Sequence, residues 1–165
     1  MEKRFNLPIA VFAVLFLFIS VVARAQCTKL SFNEYKEIWN AKSKDDKLAK
    51  LGFSKRSGYY GRCKVEMCST ADSVSKNWNE FLFVYDDEIN YSFVDKPAFE
   101  TYKELIKTKA KYVGFAMFDE QRREYYFDGK TCYALYVGDR SCLNSQITDY
   151  NFSFLNKVPA YVEKD

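Results

Sequence analysis

Phe32-Asn33-Glu34-Tyr35-Lys36-Glu37-Ile38 is answered further along the chain by Phe99-Glu100-Thr101-Tyr102-Lys103-Glu104-Leu105, one F-x-x-Y-K-E-[IL] pattern written twice. The echo continues in order. Leu51-Gly52-Phe53 returns as Val113-Gly114-Phe115, Tyr59-Tyr60 as Tyr125-Tyr126, and Gly61-Arg62-Cys63 as Gly129-Lys130-Thr131-Cys132. Tyr91-Ser92-Phe93-Val94-Asp95-Lys96-Pro97 comes back as Phe152-Ser153-Phe154-Leu155-Asn156-Lys157-Val158-Pro159. Such self-similarity outranks local signals, because each copy is one structural unit that needs its neighbour to bury an apolar face.

Working outward, Ser31-x-x-Glu34 is a capping box, and Leu30 and Tyr35 are placed to form a hydrophobic staple across it. Phe32, Tyr35, Ile38 and Trp39 then share one helical face. Ser43-Lys44-Asp45-Asp46 interrupts this helix, and a short second one carries Leu48 and Leu51 to a stop at Gly52. In the second copy Asp95 and Pro97 mark a helix start. That helix presents Phe99, Tyr102, Leu105 and Ile106 and is expected to end near Gly114. Strands are predicted over 53–57, 62–68, 78–85 and 88–94, then over 112–118, 123–128, 131–137 and 147–155. Asp86-Asp87, Asp128-Gly129 and Gly138-Asp139 are the hairpin signals between them. The expected fold is α+β: two tandem repeats, about 30–96 and 97–159, each a helix followed by three or four antiparallel strands. Together they form one sheet in one domain over 26–165, with the helices on one face.

Residues 1–25 read as a signal peptide, with Lys3 and Arg4 before an apolar run and Ala23-Arg24-Ala25 as the cleavage site. A secreted or periplasmic product beginning at Gln26 is expected, with no stable membrane span after cleavage. The whole chain carries a formal charge of +3, and losing Lys3, Arg4, Arg24 and Glu2 leaves acid and base almost balanced. Such a chain lacks the basic field that nucleic-acid binding requires.

Export places Cys27, Cys63, Cys68, Cys132 and Cys142 where disulfides persist. Cys63 and Cys132 are equivalent in the echo, so Cys63–Cys68 and Cys132–Cys142 are the preferred bridges, with Cys27 left over. A structural zinc site is disfavoured, because there is no histidine and the cysteine spacings fit no common site. The absent histidine also removes Ser-His-Asp and Cys-His catalysis. Asp86-Asp87-Glu88 and Asp119-Glu120 are the acidic clusters. The first reads as a solvated hairpin tip rather than a calcium loop, and adjacent carboxylates cannot face each other across a glycan. No metal or cofactor is expected.

Two strands are apolar on both faces. Phe81, Phe83 and Tyr85 oppose Leu82 and Val84, and Cys132, Ala134 and Tyr136 oppose Tyr133, Leu135 and Val137. Such strands need cover on both sides. Tyr59, Tyr60, Tyr125, Tyr126, Tyr133 and Tyr136 cluster near the repeat hairpins and are the candidate recognition residues, since tyrosine combines contact area with a polar tip. Asn90-Tyr91-Ser92 and Asn151-Phe152-Ser153 match the glycosylation sequon at equivalent places in the two copies. They fall in strands, and duplication accounts for the pair without glycans.

With its leader, its two Gly-Phe motifs and its aromatic strands, the chain resembles small exported bacterial proteins of unknown function built from a helix–Gly-Phe–strands unit. In architecture alone it is similar to beta-lactamase inhibitor proteins, which are tandem repeats of helices followed by antiparallel strands. The resemblance implies the fold and carries no inhibitory residue over. The expected function is an exported, non-catalytic binding module that contacts a protein partner through its sheet face or hairpin tips. The alternatives are a carboxylate hydrolase acting on cell-wall or glycan material, in which Asp119 or Asp86 would need a second carboxylate across a pocket, and a self-associating envelope component, dimeric through the uncovered face.

Overall fold

The computed structural model describes residues 29–64, 78–118, 120–142 and 145–164. The expected leader, Cys27, Cys68 and Asp119 lie outside them. The described residues form three helices, α1 (Phe32–Asn40), α2 (Lys44–Lys50) and α3 (Lys96–Lys109), and eight strands. The strands are β1 (Ser54–Lys55), β2 (Tyr60–Lys64), β3 (Trp78–Val84), β4 (Glu88–Phe93), β5 (Lys111–Phe118), β6 (Gln121–Phe127), β7 (Cys132–Cys142) and β8 (Ser145–Leu155). They make one antiparallel sheet in the order β1-β2-β3-β4-β8-β7-β6-β5.

The caps work as their side chains dictate. Ser31 Oγ accepts from the Glu34 N–H at 3.2 Å while Glu34 Oε2 accepts from the Ser31 N–H at 2.7 Å, closing both halves of the box. Ser43 starts α2 with the first half alone, its Oγ accepting from the Asp46 N–H at 3.3 Å. Gly52, at φ +81, ends it, and the Phe53 N–H reaches back to the Leu48 carbonyl. Asp95 Oδ1 accepts from the Ala98 N–H at 3.0 Å to start α3. That helix stops at Lys109, with Ala110 already extended, so Gly114 is not its terminator.

Gly114 instead lies inside β5 at a register shift opposite β6, at φ +138. A Cβ there would stand 1.9 Å from the Glu163 carbonyl oxygen. Only glycine lets the two backbones approach so closely. The two Gly-Phe motifs thus look alike in sequence and perform different work. The sequence expectation also fails at Gly138-Asp139. β7 runs straight through this pair to Cys142, which still pairs with Ser145 of β8.

All three helices pack on one face. Phe32, Tyr35 and Ile38 of α1, Leu48 of α2 and Phe99, Tyr102 and Ile106 of α3 join Leu82, Ile89, Tyr91, Phe93, Tyr133, Leu135, Phe152 and Phe154 in one core. Tyr35 is its centre, stacked on Phe154 at 4.6 Å and touching Phe152 and Tyr91. Its hydroxyl donates towards the carbonyls of Ile89 and Phe152. A buried ionic link sits at one margin. Glu80, with no exposed surface, takes Arg62 Nη2 at 2.6 Å and the Tyr91 hydroxyl at 2.7 Å, and Lys29 Nζ stands 3.6 Å away.

Among the described residues the opposite face is covered over one half only. After β8 the chain turns back over β5, β6 and β7, placing Val158 and Val162 on a second cluster of Ala116, Tyr125, Cys132, Ala134 and Leu155. Glu163 and Phe115 exchange both backbone hydrogen bonds, at 2.7 and 2.8 Å. This strap seals part of the β5 edge, which would otherwise offer unpaired backbone groups.

The disulfide reading changes accordingly. Cys132 is a buried free thiol. It and Cys142 begin and end one extended strand, about 33 Å apart at ~3.3 Å per residue, whereas a bridge needs Cα atoms within about 7 Å. The expected Cys132–Cys142 bond is therefore not formed. Burial pushes the Cys132 thiol up to about 12, so it is a packing group rather than a nucleophile. Among the described residues no helix is long and apolar enough to cross a membrane.

Candidate functional site

Where the strap ends, the helix-free face opens into a groove of about 590 Å³ crossing β3, β4, β8, β7 and β6. Alternation along the strands builds it. Phe81 and Phe83 of β3, and Tyr85 just after it, turn away from the helices because Leu82 and Val84 turn towards them, so the three rings form one wall. Phe83 and Tyr85 are nearly parallel, 10° apart, and Tyr85 is 55% exposed. The other wall is Tyr136 of β7 with the Arg123 guanidinium 4.1 Å from its ring centre, a cation–π pair.

The floor is polar, and it is made from the two sequon-like tripeptides. Asn90 lies opposite Ser153 and Ser92 opposite Asn151 across the β4–β8 pair, and all four are buried. Inaccessible asparagines do not serve as glycan acceptors in the folded protein; here they are a hydrogen-bonding seam. Asn90 Nδ2 donates to Ser153 Oγ at 2.9 Å and to the Tyr136 hydroxyl at 3.1 Å. The mirror-related bond is missing. Asn151 Nδ2 donates instead to the Asp149 carbonyl, and Ser92 Oγ, wholly buried, has no hydrogen-bond partner.

At the far end Asp149 forms an ion pair with Arg140, Nε to Oδ2 3.0 Å, that is not aligned as a hydrogen bond. Asp149 Oδ1 is buried without a partner. Burial pushes this carboxyl up to about 6, against the pull of Arg140 and with a small addition from Asp139. Because the folded value lies above the ordinary ~3.9 of an aspartate, this group favours folding below about pH 4, and that contribution disappears as pH rises through 6. Asp149→Asn, which stays neutral, therefore gains about 2–3 kcal/mol of stability relative to wild type between pH 4 and pH 7.5. Urea titrations of both proteins at the two pH values measure this. A difference independent of pH would show that the carboxyl titrates normally.

Of the six tyrosines singled out by sequence, only Tyr136 lines the groove. Tyr60, Tyr126 and Tyr133 belong to the helix-side core, Tyr125 lies under the strap, and Tyr59 packs on Phe83. All five are buried. Composition marks tyrosines without saying which face they take. Phe81, Phe83 and Tyr85 are legible in the two-faced pattern of their strand, whereas Asn90, Ser92, Asn151 and Asp149 give no signal until the strands are paired. Cys63 is half-buried in β2. Among the described residues no group of three or more metal-ligating side chains is poised to hold an ion. No family model, no curated protein and no solved structure matches the chain.

Proposed function

We propose that the protein is an exported, non-catalytic binding module whose contact surface for a protein partner is the groove on the helix-free face of the sheet. The observation that carries this is the half-covered face. The strap buries the apolar side of β5, β6 and β7 and stops short of the ring wall, where Tyr85 stays exposed beside a floor with unused hydrogen-bonding capacity. Open rings over buried polar groups are the composition of a recognition site.

The placement of carboxylates supports binding rather than hydrolysis. Glu88, Asp139 and Asp149 line the groove, but Asp139 Oδ1 already accepts from the Thr148 hydroxyl at 2.9 Å, and Glu88 pairs with Leu155 on β8. Six residues of strand thus separate it from Asp149, about 20 Å at ~3.3 Å per residue. Glycosidase pairs stand about 5–9.5 Å apart.

The chain is further read as two tandem copies of one helix-plus-strands unit. A strand order symmetric about β4 and β8 supports this, as do Tyr35 and Tyr102, which occupy matching positions and enter one core, and the facing Asn-x-Ser tripeptides.

Affinity capture from the cell envelope and the secreted fraction tests the function. One abundant protein retained by wild type and lost with Tyr85→Ala is the expected result; Tyr85 is exposed enough for the variant to fold normally. Retention undiminished by Tyr85→Ala would remove the groove from the interaction. An empty capture, with dimers in light scattering, would favour self-association.

A further inference from the structure

We infer that the groove is a binding site for a neutral carbohydrate, with Tyr85 and Tyr136 as stacking platforms and Ser92, Asp149 and Arg123 as the polar groups that read hydroxyls. This rests on the reading of the helix-free face as the contact surface and specifies what that surface recognises.

The argument begins with the broken symmetry of the floor. The seam supplies its own partner for Ser153 through Asn90 but leaves Ser92 Oγ, wholly buried in the groove floor, without one. Asp149 Oδ1 is likewise buried and unpartnered, and so is Arg123 Nε. Buried polar atoms in native proteins are almost always satisfied, and an unsatisfied one costs about 1–3 kcal/mol. Three beside one groove mark where a ligand completes the network.

Their chemistry selects the ligand. A carboxylate oxygen can only accept, a guanidinium nitrogen can only donate, and a serine hydroxyl does either. The missing partner must therefore offer donors and acceptors close together, as each hydroxyl of a sugar does. Charge excludes the simpler alternatives. A cation would meet Arg123, whereas an anion would meet Glu88, Asp139 and Asp149. The exposed ring of Tyr85, with the half-buried Phe83 ring beside it, offers flat apolar surface to the C–H face of a pyranose, and Tyr136 offers another across the groove. A volume of about 590 Å³ lies within the ~300–1,000 Å³ of small-ligand clefts.

The full protein is titrated with neutral trisaccharides of glucose, mannose and N-acetylglucosamine, and binding is followed by NMR through the side-chain amides of Asn90 and Asn151. At least one trisaccharide is expected to shift these signals saturably. Tyr85→Ala should weaken that binding about tenfold or more without lowering the melting temperature, while Tyr112→Ala, an exposed tyrosine on the helix side, leaves it unchanged. Ser92→Val, which removes the hydroxyl at nearly constant shape, should also weaken it. No shift with any trisaccharide at millimolar concentration overturns the inference, as does binding that Tyr85→Ala does not alter.

Two further arms separate the sources of the sugar. A captured protein that is released by enzymatic deglycosylation identifies a glycan on a partner, and both readings stand. Binding to purified polysaccharide with no captured protein supports the carbohydrate site and removes the protein partner. A captured protein that resists deglycosylation yet is lost with Tyr85→Ala overturns the carbohydrate site and leaves the protein-binding module in place.

Discussion

Glu80→Ala lowers the free energy of unfolding by about 3–5 kcal/mol, a loss expected from breaking a buried ion pair on one side only. Glu80 has no exposed surface and Arg62 almost none. Arg62 is held besides by the Leu51 carbonyl at 3.0 Å and by the Phe53 ring at 4.6 Å, so it cannot swing out to water without giving up both. The variant also strands the Tyr91 hydroxyl, which donates to Glu80 and accepts from the Leu30 N–H at 3.2 Å. Denaturant titration followed by circular dichroism measures the loss. Changing both partners, Glu80→Leu with Arg62→Met, should recover most of it, because no uncompensated charge remains inside. A double variant as unstable as Glu80→Ala would show that the pair does more than neutralise itself.

Tyr35→Ala costs a further 3–5 kcal/mol or so, since it empties the centre of the aromatic core. The finer comparison lies in the hydroxyls. Tyr35 and Tyr102 hold the same place in the F-x-x-Y-K-E echo, and both rings are buried. Only the Tyr35 hydroxyl is bonded, towards the Ile89 and Phe152 carbonyls of the central strands. The Tyr102 hydroxyl is buried with no partner, and burial raises its pKa. Tyr35→Phe therefore loses about 1–2 kcal/mol, whereas Tyr102→Phe is neutral or slightly stabilising. Equal losses in the two would contradict the geometry.

Much of this fold was readable locally, because helix caps and strand alternation are properties of a few adjacent residues. Ser31, Glu34, Asp95 and Gly52 announce the helix ends they make, and each predicted strand overlaps an observed one. What escaped depends on partners distant in sequence. Gly114 reads as a helix stop until the Glu163 backbone is seen crossing it. Gly138-Asp139 reads as a turn because its spacing is right, yet cross-strand pairing with Thr148 and Asp149 keeps it extended. The site was the least legible part. Its polar floor is assembled from residues that each look like the wet side of a half-buried strand, and only the pairing of β4 with β8 turns them inward together.

That pairing also shapes how the chain can reach its native state. In the order β1-β2-β3-β4-β8-β7-β6-β5 every neighbour but one is consecutive in sequence. The exception joins Glu88–Phe93 to the end of β8. Each meander can grow by local hairpin closure, whose entropic cost is small, and the long loop has to be closed only once, at this seam. The topology thus asks for one long-range closure, between β4 and β8, and that same closure makes neighbours of the residues that complete the groove floor.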